Sequence, residues 1–165
     1  MAERGAVRDA WQIHTALTDL IGKADAKASF ALAIESAALT AIIAMSGPRE
    51  PFGVQKGFFS VASLRAGVVM ICLGALTAVI AVMPRLWASP ADRQWPRNHI
   101  YFGHLRQWDP HLLARRLAEE DPLPALARQI VIMSRIAWLK HRCVQWSLVL
   151  ATAGAVLVVL AGFGA

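Results

Sequence analysis

Residues 143–164 read CVQWSLVLATAGAVLVVLAGFG, 22 positions without a formal charge. A helix needs about 20 mostly apolar residues to cross the hydrocarbon core of a bilayer, so this stretch reads as a membrane span. Two other blocks match that description. Val61–Met83 holds one charge, Arg65, in 23 residues, and Ala28–Ser46 holds one, Glu35, in 19. Hydrophobic residues make up 56 % of the 165-residue chain, and its mean hydropathy is +0.45. The excess falls into these three blocks rather than spreading along the chain. The expected fold class is therefore all-α: an integral membrane protein with three transmembrane helices.

Charge placement gives the orientation. Net charge is +6, and ten basic residues lie in 84–142: Arg85, Arg93, Arg97, Arg106, Arg115, Arg116, Arg128, Arg135, Lys140 and Arg142. Residues 1–27 add Arg4, Arg8, Lys23 and Lys27, whereas 47–60 carry only Arg49 and Lys56. The excess of Lys and Arg on cytoplasmic loops predicts a cytoplasmic N-terminus and an external C-terminus in the plasma membrane. The expected divisions are a cytoplasmic N-terminal helix (1–27), span 1 (28–46), an external loop (47–60), span 2 (61–83), a cytoplasmic helical region (84–142) and span 3 (143–164). The first 27 residues show no apolar h-region or small-residue cleavage site, so span 1 is expected to act as its own insertion signal.

Two of the three spans extend well beyond the bilayer. Over 6–46 only Gly22 interrupts a helical pattern and no proline occurs before Pro48, which predicts one helix about 60 Å long. From Leu123 a second can run to about Gly162. Asp109-Pro110 is an N-cap followed by proline at the first helical position, predicting a helix over 110–120. Residues 100–108, IYFGHLRQW, read as a short helical turn. The two long helices thus extend into a small cytoplasmic helical head.

Several residues could carry function. Arg128, Arg135 and Arg142 recur every seven residues, sharing a helix face with Ile132 and Leu139. A solvated face would not normally alternate arginine with large aliphatics. The face could meet an anion or acidic partner, or it could form ion pairs with the first helix. Counting from the membrane boundary places Lys140 level with Asp25. Lys27, Arg85, Lys140 and Arg142 also suit anchoring to lipid phosphates. Glu35 lies about 10 Å into span 1, where an ionisable group is costly and so a functional candidate. Thr77, Ser147 and Thr152 come near the same depth, which suggests a polar packing layer or a gating element. Ala33, Ala37 and Ala41 form a small-residue stripe able to bring membrane helices close.

Catalytic signatures are missing: there is no HExxH, no Gly-rich phosphate loop and no nucleophile elbow. The protein is expected not to be an enzyme. The spacings of His99, His104 and His111 lack the acid or thiol partners of a metal site, so no metal is expected. Cys72 and Cys143 read as small apolar filler.

The order H14-x10-D25-x-K27-A28, a span with a glutamate, a second span ending in PRL (84–86), IYFGHLR (100–106) and LARQIVIMSRIAWLKHR (126–142) before a third span resembles the transmembrane effectors of Pycsar antiphage systems. The resemblance covers about residues 10–162. Leu20 departs from it, since tryptophan is frequent at that position in the family. The resemblance implies that a partner pyrimidine cyclase makes cCMP or cUMP on infection. The effector responds by impairing membrane integrity and so aborts infection. The implied partners are this cyclic nucleotide, the bilayer and further copies of the chain, with no nucleic acid and no cofactor beyond the ligand.

A cyclic nucleotide is a monoanion with a flat base, so its site needs cationic or amide donors and a stacking face. The candidates are Tyr101, Phe102, His104 and Arg106 from the turn, with His14, Asp25, Arg128, Gln129, Arg135, Trp138 and Lys140 from the long helices. Glu35, Thr77 and Thr152 are the membrane-interior candidates. The alternative is a constitutive membrane interaction or structural subunit with no nucleotide ligand.

Overall fold

In the computed structural model, residues 2–46, 57–83, 100, 102–105 and 107–163 are described. Their regular elements are all helical: α1 (Ala2–Ala44), α2 (Phe58–Val82), α3 (Phe102–Leu105), α4 (Pro110–Glu119) and α5 (Leu123–Phe163). Helices α1, α2 and α5 are each long and apolar enough to span a membrane. The all-α, three-span architecture therefore holds. Of the external loop expected over 47–60, residues 47–56 lie outside the described residues and 58–60 are helical instead.

Local chemistry sets the helix limits. Asp109 caps α4: its Oδ1 accepts from the backbone N–H groups of His111 at 2.9 Å and Leu112 at 3.2 Å, and Pro110 opens the first turn. These bonds satisfy donors that the helix itself leaves open. Asp121 does the same ahead of α5, accepting from the Leu123 N–H at 3.0 Å. Helix α2 begins at Phe58, three residues before the expected Val61. The extra turn places Ser60, which is buried and donates to the Ala161 carbonyl at 2.8 Å.

The chain divides into two compact units. One comprises residues 1–22 and 84–138, the other 23–83 and 139–165, so α1 and α5 each contribute to both. In the first unit the buried side chains among the described residues are Ala10, Ala125, Leu126, Gln129, Met133 and Ala137. Helix α4 buries none of its residues.

The second unit inverts the pattern of a soluble core. Its buried positions are mostly small: Ala24, Ala28, Ala31, Gly67, Gly74, Ala78, Ala81, Ser147, Gly154 and Ala161. Large side chains such as Phe30, Ile34, Ile43, Phe58, Phe59 and Leu148 are exposed. In water this would be unstable. In lipid, where chain–chain and chain–tail contacts are equally apolar, helices gain by bringing small residues and backbones together.

The contacts form a ladder. Ser60 meets Ala161, Gly67 meets Gly154, Gly74 meets Ser147, and the Ala81 carbonyl meets Lys140. Each rung is seven residues on along α2 and seven back along α5, the repeat of two helices packed through one continuous seam. From first rung to last, 21 residues of helix cover about 31 Å, the thickness of the hydrocarbon core. The second rung is a backbone contact. A Cβ on Gly67 would lie 2.7 Å from the Gly154 carbonyl oxygen, and one on Gly154 would lie 2.7 Å from that of Gly67. Helix α1 joins through Ala24, Ala28, Ala31 and Glu35, whose spacing follows the same repeat. Ala28, Ala81 and Val144 cluster, with Cys143 packed against them as small filler. The Ala33, Ala37 and Ala41 stripe is instead exposed within the single chain.

Gly67→Val is expected to lower the thermal unfolding midpoint in detergent, because overpacking at a backbone contact costs about 1–3 kcal/mol. Gly22 is a matched control. It is exposed in the interior of α1 with no atom within 4 Å of its would-be Cβ. Gly22→Ala should raise the midpoint, by up to about 1 kcal/mol of helix propensity.

Candidate functional site

Helix ends leave carbonyls without helical partners, and the last rung of the ladder starts from one of these. Ala81 lies in the last turn of α2, and its carbonyl accepts from the Lys140 Nζ at 2.8 Å. The same ammonium forms an ion pair with Asp25 of α1. One cation thus joins all three spans and sits at the negative end of the α2 dipole, where it is favoured. The Lys140 side chain is 11 % exposed and that of Asp25 37 %. Water therefore screens the carboxylate side of the pair while the lysine stem is packed.

The rung at Ser147 lies one heptad deeper, about 10 Å along α5. Glu35 is 2 % exposed and Ser147 fully buried. The Ser147 hydroxyl donates to Glu35 Oε1 at 2.8 Å, while Oε2 has no partner. Gly74 makes room for this contact: a Cβ there would stand 2.9 Å from Oε1 and 3.1 Å from the Ser147 carbonyl oxygen. The three spans therefore meet at one carboxyl group inside the membrane. Thr77 lies close in sequence, but its hydroxyl donates to the Gly74 carbonyl of its own helix at 2.7 Å. Thr152 is exposed. Of the hydroxyls near Glu35 in depth, Ser147 is the one that reaches it, because it sits on the buried seam of α5.

The ligand candidates divide between the units. Asp25 and Lys140 lie in the second and pair with each other. His14, Arg128, Gln129, Arg135 and Trp138 lie in the first. His14 is half-buried and packs edge-on against Trp11, with ring centroids 5.4 Å apart. The Thr18 hydroxyl donates to the His14 carbonyl, so it serves its own helix. Arg128 and Arg135 are exposed, and Trp138 is 63 % exposed beside them on α5. Gln129 is buried on the opposite side. Phe102 and His104 fall on α3, but their side chains, with all of Tyr101 and Arg106, lie outside the described residues. Among the described residues, no three His, Cys, Asp or Glu side chains gather where they could hold a metal.

This arrangement can do two things. An exposed row of guanidinium groups with an indole can engage an anion carrying a flat ring. A buried carboxyl and a clamped ammonium can hold three spans in one packing. Comparison with protein families matches residues 9–165 to the Pycsar effector protein domain. The chain belongs to the Pycsar effector family. It is therefore a membrane protein of antiphage defence, and its family places it with a cyclase that makes a cyclic nucleotide. No curated protein and no solved structure matches the chain.

In this Pycsar effector, Ser147→Ala would leave Glu35 Oε1 buried without its donor, at about 1–3 kcal/mol. Glu35→Gln keeps an acceptor for Ser147 and should hold stability within about 1 kcal/mol. Thermal unfolding in detergent should therefore rank Glu35→Gln close to the parent and Ser147→Ala below both. Lys140→Met keeps the apolar stem but removes the ammonium. The Ala81 carbonyl and Asp25 then lose their shared partner, and the same assay should show a loss of about 1–2 kcal/mol.

Proposed function

We propose that this chain is an effector switched on by a cyclic pyrimidine nucleotide, cCMP or cUMP, and that it then impairs membrane integrity to abort infection. The ligand residues are His14, Arg128 and Arg135 with Trp138, completed by Tyr101, Phe102, His104 and Arg106 of the α3 region. The observation that carries this reading is the continuity of α1 and α5. Each is a single helix that contributes to both units, one bearing exposed Arg128, Arg135 and Trp138, the other Glu35 and Lys140 in the span seam. A guanidinium suits the cyclic phosphate and an indole face suits the base.

A ligand can shift a conformational equilibrium only by its difference in affinity between two states. The resting state in this reading is the closed ladder, with Lys140 on Asp25 and Ser147 on Glu35. Asp25, Lys140, Glu35, Thr77 and Thr152 then belong to the response rather than to ligand contact. The responding state repacks the spans, and further copies of the chain join through faces that one chain leaves uncovered, such as Ala33, Ala37 and Ala41. The N-terminus and residues 84–142 face the cytoplasm, where the cyclase product appears, and the C-terminus lies outside. The effect needs no catalysis and no metal.

Calorimetry on detergent-purified protein against cCMP, cUMP, cAMP and cGMP tests this reading. Saturable binding of a cyclic pyrimidine alone is expected, weakened about tenfold or more by Arg135→Ala, as for loss of a charged hydrogen bond. Binding of none of the four by folded protein would favour a constitutive interaction subunit. Unchanged affinity in Arg135→Ala would remove Arg135 from the site.

A further inference from the structure

Among the described residues, Glu35 Oε2 is the one buried side-chain oxygen without a hydrogen bond. Its companion Oε1 accepts from the Ser147 hydroxyl at 2.8 Å, and Glu35 as a whole is 2 % exposed. An ionised carboxylate is a poor fit to these surroundings. It accepts at both oxygens, with about four lone-pair sites to fill. It also carries a large solvation penalty in an apolar interior unless a cation or several donors replace the lost water. Glu35 has one hydroxyl donor, and among the described residues no cation pairs with it.

The helices packed against Glu35 bring no other titratable group to it. Helix α2 faces it with Gly74, while Cys72, two residues away, is exposed. Helix α5 faces it with Ser147, while Cys143, one turn nearer the boundary, packs with Ala28, Ala81 and Val144. Arg142 lies about 8 Å from Ser147 along α5 and is exposed on the other side of that helix. Lys27 is about 12 Å from Glu35 along α1, Arg65 about 14 Å from Gly74 along α2, and both are exposed. Lys140, about 10 Å from Ser147, already holds Asp25 and the Ala81 carbonyl.

We propose that Glu35 is a proton-binding site: in the closed packing of the three spans its carboxyl is un-ionised, with the proton on Oε2, and parting of the spans releases that proton to water. Burying an O–H group without a partner costs far less than burying a charge. The neutral carboxyl still accepts from Ser147 through Oε1. The closed packing therefore holds one proton more than an open packing in which Glu35 meets water. Linkage then fixes the sign: raising the pH favours opening, and lowering it favours closure. The release step rests on the responding state proposed above. The bound proton does not, and neither is read through a nucleotide.

Infrared spectroscopy on the full chain in vesicles without nucleotide tests this. An un-ionised carboxylic acid has a carbonyl stretch well separated from the carboxylate bands. At neutral pH the difference between the parent and Glu35→Gln is expected to contain that stretch. Ser147→Ala should move it to higher frequency by removing the hydrogen bond to Oε1. Carboxylate bands in its place overturn the proposal, with helicity checked in each chain. Should Glu35→Gln not fold, the shift in Ser147→Ala assigns the stretch by itself, and a stretch that does not move overturns the proposal. As the pH is raised, the stretch should vanish together with a change in tryptophan emission in the parent. Glu35→Gln should keep its emission at a pH that alters the parent's. Loss of the stretch with unaltered emission means that the closed packing accepts the charge, which overturns the release step. Emission that changes at the same pH in both chains assigns opening to another group, such as the Lys140–Asp25 pair, and overturns it too. A chain that binds no cyclic nucleotide would still give the expected results, so failure of the nucleotide reading is told apart from failure of this one.

Discussion

The close approach of α2 and α5 is the constraint on which the membrane unit rests. Lipid offers apolar helices no reason to associate through large side chains, because acyl tails solvate those equally well. What holds them is contact at backbone distance plus polar groups that have nowhere else to go. The Gly67–Gly154 rung supplies the first, and the rungs at Ser60, Ser147 and Lys140 supply the second. Because the rungs recur every seven residues, a change of register between the two helices would displace all of them together. The seam is therefore suited to discrete packings rather than to gradual sliding.

That discreteness gives meaning to the placement of the polar groups. Lys140 closes the ladder at one membrane boundary and Glu35 lies one heptad inside. Each involves all three spans, so neither can keep its partners if one span moves alone. Burying a carboxyl oxygen with no partner is costly, and a stable arrangement repays that through its surroundings. Such a group is a reasonable place for a protein to store the difference between a resting and a damaging state. The proposed nucleotide would need only a few kcal/mol of differential affinity to reverse such a preference.

Much of this was legible in the sequence. An uncharged run at 143–164 and two nearly uncharged ones gave the three spans, and Asp109-Pro110 gave the start of α4. Counting inward from the membrane boundaries put Lys140 level with Asp25, which it meets. The level of Glu35 was also readable, but its partner was not. Thr77, Ser147 and Thr152 had similar depth, and depth does not fix helix rotation. Rotation is set by which face packs, and Ser147 falls on the seam while Thr152 does not. The same blindness hid the inner alanine stripe: Ala33, Ala37 and Ala41 have ideal spacing, yet Ala24, Ala28 and Ala31 are the ones buried. The start of α2 at Phe58 leaves no mark in the sequence, because Gly57 offers no side-chain cap ahead of Phe58 and Phe59. The chemistry that suits a nucleotide is shared by many side chains, and spacing alone does not make them converge.

In the proposed mechanism, a cyclic pyrimidine nucleotide turns a closed span bundle into one that breaches the membrane. Release of an encapsulated dye from vesicles bearing the purified chain tests it directly, with each nucleotide added on the side of residues 84–142. Vesicles should stay intact without ligand and with cAMP or cGMP, and should release dye rapidly with cCMP or cUMP. Release that ignores the nucleotide, or vesicles that stay sealed with a bound cyclic pyrimidine, would contradict it.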